Sequence, residues 1–314
     1  MKRLVALAAV VMLGVAGCSA SSGGDRSSGS QTSSSTPGGA GPVNVVASTN
    51  VYGDIVKAIG GPAVSVTSII DSPDKDPHEY EADARTQLAL SKAQLVVENG
   101  GGYDAFVDTM LNSDPTKPTL INVSEVSGRD QDPAEGEFNE HVWYDLPTVE
   151  KLAAQLVTDL SAAAPDQAAT FRSNAETFSA QLGQLQQDEA AIKAKHAGEG
   201  VAITEPVPLY LLEAAGLVNK TPETFSEAIE QDTDVPPSVL KETESLFDTK
   251  QVKLLAYNAQ TTSPQTEAIQ GAAERNNIPV VSMTETLAPG QSYLSWMQAN
   301  LQAVSTALND RGHL

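Results

Sequence analysis

One histidine, His78, lies in a stretch of six acidic side chains, DSPDKDPHEYEADA (residues 71–84). The whole chain has four histidines against 40 aspartates and glutamates. A surface loop does not need an imidazole, whereas an imidazole among carboxylates is a ligand set that suits a divalent cation. His78 is therefore our first candidate for a cation ligand.

A second candidate, His141, lies in EFNEHVWYD, just before the predicted helix LPTVEKLAAQLVTDL. The other two histidines are weaker candidates. His196 ends a long helical stretch and is expected to be a solvated residue near the helix C-terminus, and His313 is in the tail. Two separated histidines alone are more typical of ordinary loop residues than of a site.

Two glutamates strengthen the case for a site, because each follows an apolar strand-like run. VAIT leads directly into Glu205, and PVVSMT leads into Glu285. A lone carboxylate at an apolar strand end is costly unless it is paired or binds a cation. The alternative for each is a charge near a helix N-terminus, worth at most about 1 kcal/mol.

Short apolar runs alternate with helix-type spacing along the chain and predict where these side chains lie. Two series of strands are predicted, at residues 43–48, 64–70, 93–99 and 119–123, then at 200–204, 252–257 and 279–283. Such alternation predicts an α/β fold with two lobes, each a mostly parallel sheet with flanking helices. Ligands bind beyond the carboxyl ends of such strands, so the four candidates can converge on one cleft. With 314 residues, each lobe is expected to have its own core.

One long helix is predicted between the lobes, over residues 165–198. Its apolar residues fall at three- and four-residue steps or their multiples and form one face: Phe171, Ala175, Phe178, Leu182, Leu185 and Ile192. Thirty helical residues are roughly 45 Å long, about the length of a domain. The pattern favours a stiff connector packed along both lobes, with a free coiled coil as the alternative.

The N-terminus predicts export. Residues 1–17 have a basic start and an apolar run too short to span a membrane, which is typical of a secretory signal. Cys18 is the only cysteine, so the chain has no internal disulfide and no thiolate metal cluster. LGVAGCS resembles a lipobox, which implies lipidation of Cys18; the alternative is a plain signal peptide. Residues 18–42 are predicted to be a flexible tether.

The charge of the mature chain narrows the range of partners. Removal of the signal leaves 17 basic residues against 40 acidic ones, a formal charge of −23. Nucleic acid and anionic membrane surfaces would be repelled. A cationic ligand fits this charge, although acidity also keeps an exported protein soluble.

The chain resembles the solute-binding lipoproteins of bacterial manganese/zinc ABC importers over residues 43–308. The resemblance is carried by DPHEYE, EHVWYD, ITEPVPLYLLEAAGL, VSMTETL, AQLVVENGGGYDAFVD and the long linking helix. It implies two α/β lobes bridged by one rigid helix. It also implies that His78, His141, Glu205 and Glu285 correspond to the four metal ligands. The fourth ligand is often Asp in the family, and the third is His in many zinc-type members.

The predicted domains are a signal peptide at residues 1–17 and a lipid-anchored tether at 18–42. They are followed by an N-terminal metal-binding lobe at 43–164, the linking helix at 165–198 and a C-terminal metal-binding lobe at 199–314.

The resemblance implies a monomeric protein that is not an enzyme, anchored through Cys18 on the outer face of the bacterial cytoplasmic membrane. It would capture one divalent metal ion as cargo for an ABC permease with its cytoplasmic ATPase. Two carboxylates beside two imidazoles favour Mn²⁺, with Zn²⁺ second. The alternatives are a metal-dependent hydrolase built on His78 and His141, and an adhesin with a structural metal.

Overall fold

The structure is a computed structural model, and it describes residues 41–73, 80–81, 83–113, 115–134 and 136–309. The predicted signal, most of the tether, Cys18 and the candidate ligand His78 lie outside these ranges. Within them, no helix has both the length and the apolar character needed to cross a membrane.

The first lobe is built on a four-stranded sheet. Its strands are β1 (Val43–Thr49), β2 (Val64–Ile70), β3 (Leu95–Glu98) and β4 (Thr119–Asn122). Its helices are α1 (Asn50–Gly60), α2 (Ala84–Leu90), α3 (Phe106–Ser113), α4 (Val123–Ser127) and α5 (Leu146–Ala163). The strands pair in the order β2-β1-β3-β4, and every pair is parallel. Strand β3 (LVVE) is buried along its whole length, as expected for an inner strand with helices on both faces.

The second lobe repeats this arrangement. Its strands are β5 (Gly200–Ile203), β6 (Val218–Asn219), β7 (Leu255–Asn258) and β8 (Val280–Met283). Its helices are α7 (Leu209–Ala214), α8 (Glu223–Glu230), α9 (Pro237–Asp248), α10 (Pro264–Arg275) and α11 (Tyr293–Asn309). The strands pair in parallel in the order β6-β5-β7-β8. The predicted fold class, two α/β lobes with mostly parallel sheets, is confirmed.

Between the lobes lies one long helix, α6 (Ala168–His196), with 29 residues. It packs against α1 and α5 of the first lobe and against α7 and α11 of the second. Its predicted apolar face is buried, from Phe171 to Ile192. The expectation that His196 is solvated is wrong, because this side chain is buried with Nδ1 3.3 Å from Glu199 Oε2.

The expectation of two separate cores is also wrong. One continuous hydrophobic cluster includes Val97 of β3, Leu182 of α6 and Ile203 of β5, and each lobe adds a smaller cluster of its own. The physical reason is the position of α6, whose apolar face fills the space between the lobes. The two sheets are therefore fixed to each other through a shared core.

Candidate metal centre

Polar side chains meet where the strands of the second lobe end. Glu205 lies two residues beyond β5, Asn258 is the last residue of β7, and Glu285 lies two residues beyond β8. The carboxyl ends of these neighbouring parallel strands share one edge of the sheet. The first lobe contributes His141 from the loop that leads into α5. Glu205, Glu285 and His141 are all buried, with 3%, 1% and 0% exposure.

Asn139 fixes the orientation of the His141 ring. The amide nitrogen of Asn139 donates to the carbonyl oxygen of Pro206 at 3.1 Å, so the amide oxygen faces His141. This oxygen accepts the backbone N–H of His141 at 3.1 Å and lies 2.8 Å from Nδ1. Nδ1 therefore carries a proton, which leaves Nε2 as the ring nitrogen that can bind a metal ion. An imidazole held in this tautomer is a metal ligand through Nε2.

Nε2 of His141 faces two carboxylates. Glu230 Oε1 lies 3.4 Å from Nε2 and Glu285 Oε2 lies 3.9 Å from it. A lone pair and two carboxylates repel each other unless a proton or a metal ion lies among them. Because the groups are buried, the repulsion is screened less than it would be in water. This arrangement is typical of a cation site.

Hydrogen bonds hold Glu285 in place. Asn258 Nδ2 donates to Oε1 at 2.8 Å, and the Tyr103 hydroxyl donates to Oε2 at 3.0 Å. The backbone N–H of Glu285 donates to Gln260 Oε1 at 2.7 Å. Burial, and then the charge of Glu285, raise the pKa of Tyr103 well above its usual value, so its hydroxyl stays a donor. The carboxylate of Glu285 thus keeps a fixed position.

Glu205 is buried among other carboxyl groups. Its Oε2 atom is buried and has no hydrogen-bond partner among the described residues. Burial, and then the negative charges of Glu230 and Glu285, raise the pKa of Glu205 to about 9. A bound cation would relieve this repulsion, because it stabilises the ionised form of the carboxyl.

Aromatic rings enclose the His141 imidazole. The ring centroids of Tyr103 and Trp143 lie 5.9 Å and 5.1 Å from that of His141, both in edge-on contact. These rings exclude water from one side of the imidazole. Exclusion of water lowers the local dielectric constant, which strengthens the interactions between charges at the centre.

Comparison with known proteins identifies the family. Residues 45–307 match the family model ZnuA, described as zinc-uptake complex component A, periplasmic. The chain belongs to this family. The manganese ABC transporter substrate-binding lipoprotein scaA of Streptococcus gordonii is 25% identical over 328 residues, 98% of each chain. The iron ABC transporter substrate-binding lipoprotein MtsA of Streptococcus pyogenes serotype M1 is 25% identical over 298 residues, 85% of this chain and 89% of the relative.

The fold of this zinc-uptake component A family is also found in solved structures. A mutant of the laminin-binding adhesin Lmb from Streptococcus agalactiae superimposes with a TM-score of 0.72 at 19% identity, over 85% of this chain and 99% of that chain. The family consists of metal-binding substrate-binding proteins of ABC transporters, and these are not enzymes. The resemblance proposed from the sequence is confirmed.

For this member of the zinc-uptake component A family, the structure brings three of the four sequence-predicted residues close together: His141, Glu205 and Glu285. It also adds two acidic residues that sequence reasoning missed. Glu140 and Glu230 offer carboxylate oxygens that, with a ring nitrogen of His141, all lie within 4.8 Å of one another. Glu140 directly precedes His141 in the sequence, and this position next to a candidate ligand could have predicted it. Glu230 ends α8, and nothing in the sequence distinguishes it from a solvated helix-end charge.

Proposed function

We propose that this protein captures one divalent transition-metal ion outside the cytoplasmic membrane and delivers it to an ABC permease with its cytoplasmic ATPase. The observation that carries the proposal is the convergence of His141 Nε2 with the carboxylates of Glu230 and Glu285, at 3.4 Å and 3.9 Å. The names of the relatives support the transport role, since both are substrate-binding lipoproteins of ABC transporters.

The proposed ligands are His78, His141, Glu205 and Glu285. His141 and Glu285 are already oriented by hydrogen bonds, and Glu205 needs a positive charge nearby to ionise at neutral pH. His78 belongs to the set on the sequence argument alone, since it lies outside the described residues. Ligands drawn from both lobes mean that the ion would bind between them.

Mn²⁺ is the proposed cargo, with Zn²⁺ second. Carboxylates are harder ligands than imidazoles, and each can bind through both oxygens, which raises the coordination number. That suits Mn²⁺ better than four-coordinate Zn²⁺. The relatives are named for manganese and for iron, and the family model for zinc. Zn²⁺ binds more tightly than Mn²⁺ at most nitrogen and oxygen sites, so uptake rather than affinity must decide.

We place the protein on the outer face of the membrane, anchored as a monomer through a lipid on Cys18. The lipobox-like LGVAGCS and the names of the relatives, which are lipoproteins, support this location. The anchor would keep the protein within reach of the permease.

The test is metal uptake in a strain that lacks the gene. We expect the deletion to lose uptake of radiolabelled Mn²⁺, the wild-type gene to restore it, and His141→Ala to fail because it removes the oriented nitrogen. Gln187→Ala, on the exposed side of α6, is the matched control and should restore uptake. Loss of Zn²⁺ uptake with Mn²⁺ uptake intact would overturn the manganese assignment. No change for any metal would overturn the import role.

A further inference from the structure

An acidic cleft opens beside the candidate centre. It has a volume of about 430 Å³ and lies between the loop before α5 in the first lobe and helix α8 in the second. Five of its lining residues are glutamates: Glu137, Glu140, Glu223, Glu227 and Glu230. Its lining, among the described residues, includes no lysine, arginine or histidine. A concave surface of one charge sign concentrates ions of the opposite sign, so this cleft draws cations toward the centre.

Glu230 lies where the cleft reaches the centre. Its Oε1 atom is 3.4 Å from His141 Nε2, closer than Glu285 Oε2 at 3.9 Å. Its side chain is 12% exposed, compared with 1% for that of Glu285. The same ring nitrogen therefore faces a carboxylate on the cleft side and another on the buried side. Glu140 completes a group of three ligand atoms within 4.8 Å of one another.

The burial of Glu205 is a second observation that points to a cation here. Glu205 is only 3% exposed, and its Oε2 atom has no hydrogen-bond partner in the described part of the chain. Among charged neighbours, Glu230 has the largest effect on Glu205. Asn258 and Thr261 hydrogen-bond to the Glu205 carboxyl, yet a buried carboxylate with one oxygen left without a donor is costly unless a cation neutralises it. The negative charge of Glu230 thus acts on the buried carboxyl of Glu205.

We propose that Glu230 is a direct ligand of the captured cation, on the side of the site that faces the acidic cleft. This inference rests on the proposed function and deepens it. Added to the four ligands already proposed, Glu230 makes five. A tetrahedral Zn²⁺ site needs only four. A divalent cation that accepts more than four hard ligands, such as Mn²⁺, fits this set.

The first measurement is calorimetric titration of the purified protein with MnCl₂. Glu230→Gln keeps the shape of the side chain and removes the ligand charge. We expect Kd to rise on the order of 100-fold, because even residues that only orient a ligand cost about 10- to 100-fold in affinity. Glu227→Gln removes the same charge from the same helix and cleft without removing a ligand atom near His141. For a divalent cation, a charge about 10 Å away in water changes affinity about fourfold, and less once salt screens it.

The second measurement separates a direct ligand from a distant charge. Co²⁺ bound to the wild-type protein gives visible absorption bands whose intensity rises as the number of ligands falls. Glu230→Gln should make these bands more intense, whereas Glu227→Gln should leave them unchanged. Circular dichroism of the metal-free variants confirms that both are folded.

The outcomes distinguish this inference from the proposed function. Suppose that the wild-type protein binds Mn²⁺ and that His141→Ala does not. If Glu230→Gln then matches the wild type in both Kd and Co²⁺ spectrum, Glu230 is not a ligand, and the proposed metal capture still holds. The assignment of Glu230 as a ligand is also wrong if Glu230→Gln and Glu227→Gln weaken Mn²⁺ binding equally and leave the Co²⁺ spectrum unchanged. If the wild-type protein binds no divalent metal, the proposed function itself is wrong.

Discussion

As a proposed metal ligand, Glu205 would couple metal binding to proton binding. Its carboxyl is buried next to two other carboxyls, Glu230 and Glu285, and these causes together raise the pKa of Glu205 to about 9. In the metal-free protein at pH 7 this carboxyl is therefore protonated. A cation needs the ionised form, so the proton must leave when the ion binds.

We accordingly expect Mn²⁺ binding to release one proton from Glu205 between pH 7 and pH 9. Affinity should rise with pH across this window, by up to about tenfold per pH unit, because each unit corresponds to about 1.4 kcal/mol for one proton. Calorimetry in two buffers of different ionisation enthalpy counts the protons. Glu205→Gln should abolish the release, and a release that persists in this variant would contradict the assignment.

At the residue scale, the sequence predicted the candidates whose neighbours are distinctive. Glu205 and Glu285 each follow an apolar run, and His141 precedes a helix, so their types stand out. Glu230 could not be predicted, because a carboxylate at the end of an amphipathic helix is ordinary in a chain with 40 acidic residues. Its approach to His141 depends on how α8 packs against the other lobe, which local sequence does not specify.

At the scale of elements, the loop before α5 joins the two lobes as well as presenting His141. Asn139 donates to the carbonyl oxygen of Pro206, just after β5, at 3.1 Å. Its own carbonyl oxygen accepts the hydroxyl of Tyr210 in α7 at 2.6 Å. The residue that orients the imidazole is therefore itself held by the second lobe. The Asn139 side chain thus forms one contact between the lobes and also fixes the proton on His141 Nδ1.

We expect Asn139→Ala to weaken Mn²⁺ binding about 10- to 100-fold, the range for residues that orient a ligating histidine. Asn139→Asp keeps an oxygen for the Nδ1 proton and loses the donor to Pro206, so its affinity should lie closer to that of the wild type. Titration calorimetry gives the affinities, and ¹⁵N chemical shifts of the His141 ring report its tautomer. Equal losses in both variants, with an unchanged tautomer, would show that Asn139 acts only on the packing of the lobes.

The sequence predicted most elements, because each has the periodicity of its type. The apolar face of α6 and the strands β1 to β5, β7 and β8 were all visible in this way. Strand β6 was missed because two residues, Val218 and Asn219, show no periodicity. Their pairing with β5 is formed by tertiary contacts alone.

At the scale of the whole molecule, residues of the first lobe hold the segment that carries Glu285. The side chain of Asn50 accepts the N–H of Leu287 and donates to its carbonyl oxygen, both at 2.9 Å. The hydroxyl of Tyr144 donates to the carbonyl oxygen of Thr284 at 2.8 Å. Together with Tyr103, these contacts let the first lobe position Glu285, a proposed ligand in the second. Such reciprocal support, added to a shared core, favours lobes that move little against each other.

A shared core predicts that both lobes unfold together. Phe178 is the test position, because it lies in the middle of α6, is 2% exposed and packs against the ring of Tyr293 with centroids 6.2 Å apart. Phe178→Ala should lower the free energy of unfolding by about 3–5 kcal/mol, through lost burial and the cavity left behind. Gln187→Ala, exposed on the same helix, should change it by about 0.5 kcal/mol or less.

Thermal unfolding gives the stability of each variant, and amide hydrogen exchange measured separately in β1 and β7 reports the two lobes. In Phe178→Ala we expect both strands to lose protection to the same extent and in one transition, since the cluster that includes Phe178 extends from the first sheet through α6 to the second. Loss of protection in one lobe only, with the other at its wild-type level, would show two independent folding units. The lobes would then be free to move about α6, and the rigid placement of Glu285 against His141 would need another cause.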